Sequence, residues 1–426
     1  MLQEIRIQNY RSLKDVTLNL QNVNLFIGPN NSGKSNLLKA LIFFKEFIRG
    51  AYPKNKDEFN QITFQQKGVG DHISRLTPVA FTFRFNGGHL FWIYQLEIYG
   101  YEFNDGQMAC SELLGVAEKE IKKDFTLRDI NYVNEHFYEY EICVLNNLYI
   151  DPIQNSPKSP IQAERNWQHF SRKKKGSYLE HNTSGIGCVI KRSALGGIDI
   201  FINDMLRNLK VYRPDINKMK LPNPITNSLD LNQDASNLAS FFFNLSQNQS
   251  DEFQQLEDDL RKCVKEVTRL RTPGARGQNG FVEIKVFDIT GGYWADETSE
   301  GILYFLALLA IAYQPDPPSM LLLEEPETGI HPKRMAEILD FIYRLVENKK
   351  IQVIMTSHSP VLVDKFSDSP ENVFVFEKDK EGATIVKNLL NDIIIPSDKK
   401  LGKEKIDYTE SLGEHWTMGF LGGVPK

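Results

Sequence analysis

The apolar positions of the chain follow two rhythms. The first 27 residues read as two short strands: residues 2–7 alternate apolar and polar, and residues 16–20 alternate again before the apolar run 23–27. A Gly/Pro/Asn turn follows, and then the period lengthens. Leu37, Leu38, Leu41, Ile42 and Phe44 recur at helical spacing and predict a helix over about 35–48. Residues 78–104 return to strand character, broken at Asn86-Gly87-Gly88, a strong hairpin signal. Between about 106 and 215 the pattern degrades, charge rises and Ser156-Pro157-Lys158-Ser159-Pro160 interrupts the chain. This stretch reads as an insertion of irregular helices and loops. Helical character resumes over 235–270, where Leu238, Phe241, Phe242 and Leu245 mark one apolar face, and it ends at the Pro/Gly-rich break 272–277.

The rest alternates. A strand is predicted over 281–286, an apolar helix over 299–313, a buried strand over 320–323, a helix over 332–348 and a buried strand over 351–355. Apolar strands alternating with helices of this length predict an α/β fold, a mostly parallel sheet flanked by helices. Neither internal repeats nor sustained heptads occur, so a long coiled coil is not expected. Residues 1–105 and 281–426 are read as one discontinuous domain, with 106–280 as an inserted variable and helical region.

Composition narrows the function classes. At 426 residues the chain is long enough to bury a large core without staples, and 41% apolar residues exclude a disordered chain. Fifty Lys and Arg against 55 acids, a net charge of -5, exclude a globally basic nucleic-acid coater. Cys110, Cys143, Cys188 and Cys263 are scattered and form no CxxC pair, so neither zinc nor a disulfide framework is expected. The longest uncharged apolar run, 301–313, is shorter than the roughly 20 residues a membrane span needs. The N-terminus carries no signal-type apolar stretch, and the reading is a cytoplasmic protein without membrane contact.

Candidate chemistry then comes from five segments. Gly28-Pro29-Asn30-Asn31-Ser32-Gly33-Lys34-Ser35 matches GxxxxGK[ST] between a buried strand and an amphipathic helix. In such a loop the backbone amides and the following helix N-terminus face phosphate oxygens, Lys34 reaches the outer phosphates, and the Ser35 hydroxyl ligates Mg²⁺. Asn30 to Ser35, with Asn36, are the candidate nucleotide-binding residues. The strand 320–323 ends in Glu324-Glu325. A Mg²⁺-dependent NTPase needs one acid near the metal and a second to polarise the attacking water. Glu324 stands where such enzymes usually carry Asp, and its extra methylene displaces the carboxylate by about 1.5 Å.

Pro326-Glu327-Thr328-Gly329-Ile330-His331-Pro332 reads as helix entry, with Pro332 at the first helical position. For His331 a functional role stands beside that reading. Thr356-Ser357-His358-Ser359-Pro360 sits at the end of the last buried strand, where the ligand crevice of a parallel sheet lies, so His358 is a candidate γ-phosphate sensor. Thr298-Ser299-Glu300-Gly301 opens the apolar helix, and Ser299 alone reads as an N-cap residue.

In this order the five segments resemble the ABC-type P-loop ATPase heads of the group that includes RecF, the structural-maintenance-of-chromosomes proteins and the overcoming-lysogenisation-defect (OLD) proteins. The opening Ile5-Arg6-Ile7-Gln8-Asn9-Tyr10-Arg11-Ser12-Leu13 resembles them as well. The resemblance covers about 1–105 and 281–366. It implies an ATPase head with an antiparallel β subdomain, taking ATP and Mg²⁺. By position, Glu325 matches the catalytic carboxylate and His358 the switch histidine. Ser299 and Gly301 match the signature motif that meets a nucleotide held by the other subunit. Arg11 matches a basic residue near the nucleotide, and Gln65 (or Gln66) the Mg²⁺-sensing glutamine beside Ser35 and Glu324. Glu327 and His331 match the loop between subunits. The implied assembly is a homodimer or a higher even oligomer with shared sites.

The signature reads TSEGI rather than LSGGQ, unlike a transporter ATPase. Only about 60 residues follow Phe366, too few for the Toprim nuclease of OLD proteins. The tail resembles stand-alone bacterial ATPases of anti-phage systems such as Septu and PARIS, which pair the ATPase with a separate effector, a nuclease or toxin. That reading competes with a RecF-like DNA-binding repair ATPase, whose one footprint is the basic run 172–175 with Lys191 and Arg192. It also competes with a non-hydrolysing scaffold.

Overall fold

The computed structural model describes residues 2–48, 61, 63, 78–87, 90–99, 108–117, 140–150, 168–171, 179–182, 209–315, 317–327, 330–401 and 411–424. Two sheets organise these residues. One has six strands in the order Leu209–Tyr212, Met320–Glu324, Gln352–Ser357, Val23–Ile27, Val373–Lys378 and Thr384–Asn388. The first five are parallel, and the last turns back antiparallel on its neighbour. The other sheet is antiparallel with eight strands, in the order Leu13–Asn19, Leu2–Tyr10, Val79–Gly87, Leu90–Tyr99, Met108–Ala117, Tyr140–Ile150, Gln168–Ser171 and Leu179–Asn182. The α/β head with its antiparallel subdomain is therefore present as expected.

The two faces of the parallel sheet belong to different cores. On the strand Val23–Ile27, Phe26 points into one core while Val23, Leu25 and Ile27 point into the other, as the period-two pleat requires. The Phe26 side receives the helix Lys34–Ile48, which is clasped between the parallel and antiparallel sheets. Phe44 anchors it, its ring 4.6 Å from Phe83 and 5.2 Å from Phe81. The Leu25 side receives the helices Leu238–Asn248, Ser250–Cys263, Glu300–Ala312 and Pro332–Lys349. Every residue from Leu303 to Ala312 is buried, which accounts for a helix that is apolar all round.

Four elements depart from the pattern read along the chain. Within 106–215 the described residues form strands, not irregular helices, and the first four of them extend the antiparallel sheet. The hairpin strand Leu90–Tyr99 offers an open edge on which Met108–Ala117 and then Tyr140–Ile150 register, from Ile98 opposite Cys110 to Met108 opposite Ile150. Pairing to a preformed edge outweighs weak local alternation. Helical residues 235–270 divide at Gln249, whose backbone leaves the helical region (φ -142°, ψ 66°), into two helices. The strand expected over 281–286 breaks at Glu283 and Ile284 into Phe281–Val282 and Lys285–Phe287, each pairing with a different strand. The C-terminal hairpin Val373–Lys378 and Thr384–Asn388 completes the six-stranded sheet and was not anticipated. Among the described residues, no helix is long and apolar enough to cross a membrane.

Because Phe44 holds the clasped helix from within, Phe44→Ala is expected to cost about 3–5 kcal/mol of unfolding free energy. Urea denaturation of the full chain followed by circular dichroism measures it.

Candidate functional site

The C-terminal ends of the parallel strands converge on one crevice. The strand Val23–Ile27 enters at its centre and delivers the phosphate-type loop. At its start, Gly28 adopts φ +144°, and a Cβ there would stand 2.3 Å from the Phe376 carbonyl oxygen. At its end Gly33 adopts φ +113°, with a Cβ falling 2.1 Å from Thr384 Oγ1. Only glycine fits either place. Asn31 also takes a left-handed conformation (φ 65°), and its side chain accepts a hydrogen bond from Lys378 Nζ at 3.4 Å. Asn30 and Ser35 are exposed, and Asn36 is half-buried.

Lys34 curls back over the loop, donating to the Gly28 carbonyl at 2.7 Å and the Pro29 carbonyl at 3.1 Å. Burial pushes its ammonium down to about 8, against the opposing pull of Glu325 and Glu327. The Ser32 hydroxyl is buried with no hydrogen-bond partner among the described residues. Buried polar atoms are rarely left so. A glycine cradle, a desolvated ammonium and an orphaned hydroxyl together fit a polyanionic ligand such as a triphosphate.

The acids follow at the end of the neighbouring strand. Leu321, Leu322 and Leu323 are fully buried, and Glu324 emerges opposite Thr356. Glu325 then turns into a left-handed conformation (φ 46°). Thr356 secures that turn, its carbonyl and hydroxyl oxygens accepting from the Glu325 amide at 3.0 and 3.3 Å. The turn carries the Glu325 carboxylate to 3.7 Å from His358 Nε2. Glu327 holds the loop beneath: its Oε1 accepts from the Ser357 hydroxyl at 2.6 Å and from the His358 amide at 3.0 Å. Desolvation, with Lys34 next, moves His358 below its ordinary value despite Glu325 and Glu327, so its imidazole is neutral at pH 7.

Lys34, Glu325, Glu327 and His358 thus share one electrostatic site. Glu324 points elsewhere as well, pairing with Arg213 at 3.6 Å. Among the described residues, no three His, Cys, Asp or Glu side chains gather around a metal position. A Mg²⁺ ion would take one or two protein oxygens here and complete its shell with phosphate; Ser35 and Glu324 are the side chains that could supply them.

Ser299 and Gly301 line a second cavity, which shares Glu300 with the cavity lined by Glu324 and Glu325. With Glu266, Glu300, His331, Lys333, Arg334 and Glu337 they line a cavity of about 460 Å³, and no residue of the glycine-lysine loop takes part. Ser299 occupies the N-cap position of the helix Glu300–Ala312, yet its side chain makes no capping hydrogen bond and is exposed. The N-cap reading accounts for its backbone but leaves its hydroxyl uncommitted. His331 and Pro332 do serve as helix entry: His331 Nδ1 accepts from the Lys333 amide at 3.3 Å.

Arg11, left-handed at φ 50°, lies over the Tyr10 ring at 5.8 Å with its Nε buried and unpartnered. Its neighbour Ser12 accepts from Asn36 Nδ2 at 2.8 Å, which places this turn beside the start of the loop's helix. Gln65, Gln66, Thr328, Gly329 and the basic residues 172–175, 191 and 192 fall outside the described residues. Three contributors escaped the motif reading: Arg213, Thr356 and Thr384. Arg213 follows the alternating strand Leu209–Tyr212, and Thr356 belongs to a recognised segment; for Thr384 only the apolar run before it gives a signal.

The electrostatic coupling is directly measurable. Glu325 raises the His358 value, so Glu325→Gln is expected to lower it further, by histidine proton titration in NMR spectra. An upward movement would contradict this geometry.

No curated protein matches the chain. Solved structures similar to it include the SMC head domain from Thermotoga maritima, at 9% identity and a TM-score of 0.39, over 91% of this chain and 98% of that one. Another is the Smc head domain with an extended coiled coil bound to the C-terminal domain of ScpA from Pyrococcus furiosus, at 10% identity and a TM-score of 0.42, over 94% and 99%. Residues 23–364 match the family described as "AAA domain, putative AbiEii toxin, Type IV TA system". That stretch begins at the strand feeding the glycine-lysine loop and passes through both acids and His358. The chain belongs to this AAA-domain family of P-loop ATPases.

Proposed function

We propose that the protein binds and hydrolyses ATP with Mg²⁺ at sites shared between two copies, and that this cycle controls a separate effector. The observation that carries the reading is the division of the chemistry. Lys34 of the loop, Glu325 and His358 share one electrostatic site, whereas Ser299 and Gly301 line a cavity that no loop residue enters. An exposed serine at a helix N-terminus, its hydroxyl unspent on capping, is suited to a phosphate presented from outside the chain.

On this reading Asn30 to Ser35 surround the phosphates, and Lys34 exchanges the Gly28 and Pro29 carbonyls for the outer phosphate oxygens. Ser35 and Glu324 hold Mg²⁺, with Gln65 as a further donor. The ion, when bound, neutralises charge on the phosphates. Arg213 draws the longer Glu324 side chain to one side. Glu325, fixed by Thr356, accepts a proton from the attacking water. Neutral His358 stands beside it as a hydrogen-bonding group for the γ-phosphate, with Glu327 fixing its backbone. Asn36 and Arg11 flank the helix entry.

The regulatory part of the proposal rests on the likeness of the motifs to stand-alone anti-phage ATPases. The description of the matching family places it in the setting of toxin–antitoxin systems and names no separate effector. The effector would be a nuclease or toxin encoded separately. The basic residues on which a RecF-like repair role would rest, 172–175 with Lys191 and Arg192, lie outside the described residues.

Lys34→Ala is expected to abolish ATP binding, and Glu325→Gln to retain it while slowing phosphate release by a factor of about 10² or more. Calorimetry and a phosphate-release assay separate the two. Equal turnover of Glu325→Gln and wild type would overturn the hydrolytic reading. Strong nuclease activity of the isolated protein, lost in Lys34→Ala, would overturn control of a separate effector.

The pH response follows from Lys34. Free protein titrates this ammonium near 8, and a bound triphosphate stabilises its charged form. ATP binding at pH 8 is therefore expected to take up about half a proton at this group, with affinity falling as pH rises further. Calorimetry in buffers of different ionisation enthalpy reads the uptake.

A further inference from the structure

Behind the glycine-lysine loop, three side chains from distant parts of the sequence form a chain of hydrogen bonds. Asn36 Nδ2 lies 2.8 Å from Ser12 Oγ, Ser12 Oγ lies 2.8 Å from Thr384 Oγ1, and Thr384 Oγ1 lies 2.9 Å from the Ser32 carbonyl oxygen. The direction of the chain can be worked out. A carbonyl oxygen only accepts, so the single Thr384 hydroxyl proton goes to Ser32. Thr384 must then accept from Ser12, whose own hydroxyl accepts from the Asn36 amide. Each of the two hydroxyls then donates once and accepts once, and Thr384 is buried. A second strand of support runs alongside, the Thr384 amide donating to the Ser12 carbonyl at 2.7 Å.

The consequence lies in the peptide between Ser32 and Gly33. Its carbonyl and its N–H point in opposite directions because the unit is planar and trans. Pinning the Ser32 carbonyl toward Thr384 therefore aims the Gly33 amide away from Thr384, into the loop. Contact is so close that a Cβ at Gly33 would overlap Thr384 Oγ1, so the loop cannot retreat in that direction.

We propose that Thr384, oriented by Ser12 and Asn36, is a positioning residue for phosphate binding: it holds the Ser32–Gly33 peptide so that its N–H faces the nucleotide. This rests on the nucleotide reading given above. It makes the C-terminal hairpin part of the nucleotide site, although no atom of the hairpin needs to touch the ligand.

The test compares Thr384→Val, which keeps the shape and removes the hydroxyl, with Thr384→Ser, which keeps the hydroxyl. The full chain is titrated with ATP by calorimetry and assayed for steady-state phosphate release, with circular dichroism melting as the check on folding. Thr384→Val is expected to weaken ATP binding about tenfold and raise KM to match, while kcat stays within about twofold. Thr384→Ser is expected to restore binding to within about twofold of wild type. Ser12→Ala is expected to weaken binding as well. Because the relay acts as one unit, combining it with Thr384→Val should add little to the loss.

Thr384→Val binding ATP as wild type does, or Thr384→Ser binding as poorly as Thr384→Val, would overturn the proposal. So would a loss of melting temperature in Thr384→Val with no loss of affinity. If wild type and Lys34→Ala alike take up no ATP, the nucleotide reading itself fails. If wild type binds and Lys34→Ala does not, a normal Thr384→Val overturns the relay alone.

Discussion

The site depends on how closely the glycine-lysine loop is pressed against the C-terminal hairpin. At Gly28 the backbone meets the Phe376 carbonyl, and at Gly33 it meets the Thr384 hydroxyl, both too tightly for any β-carbon. The tail adds a third contact: a Cβ on Gly423 would lie 3.5 Å from the Gly28 Cα, and the Gly423 amide is held by Glu377 Oε1 at 2.7 Å. The loop is thereby closed from behind, and its free polar groups face the crevice. Burial of Lys34 and the isolation of the Ser32 hydroxyl are consistent with the same enclosure.

Enclosure also sets the charges. Desolvation lowers both Lys34 and His358, while Glu325 and Glu327 pull both back up. Where the chain stands alone the balance leaves Lys34 titrating near 8 and His358 neutral. A polyanion entering the crevice adds negative charge beside Lys34 and stabilises its proton. The site is thus poised to respond to phosphate charge with a change of protonation at Lys34.

Much of this was legible along the chain because it is local. The glycine-lysine loop, the two acids and T-S-H-S-P are contiguous segments whose chemistry is carried by neighbours in sequence. The apolar strands leading to them are unbroken because both faces are covered. The elements that depart from the sequence pattern are governed by partners outside their own segments. Strands Met108–Ala117 and Tyr140–Ile150 form by adding to an existing edge, and no periodicity within them had to be strong. Arg213 matters because its strand pairs with Met320–Glu324, more than a hundred residues away. Thr384 was invisible for the same reason: an ordinary threonine becomes important only when folding sets it against Gly33. Ser299 shows the reverse, a residue whose simplest local explanation, helix capping, covers its backbone and not its hydroxyl.

The central claim is that two separate surfaces of one chain complete each other across a pair of copies. Mixing Lys34→Ala with Ser299→Ala protein tests it most directly. Each variant alone is expected to be inactive, since every site then lacks one half. In a random mixture half the pairs join the two variants and carry one intact site of two, so turnover is expected to recover to roughly a quarter of wild type. Failure to recover any turnover, with both variants folded and able to pair with wild type, would contradict the claim and place the whole reaction within a single copy.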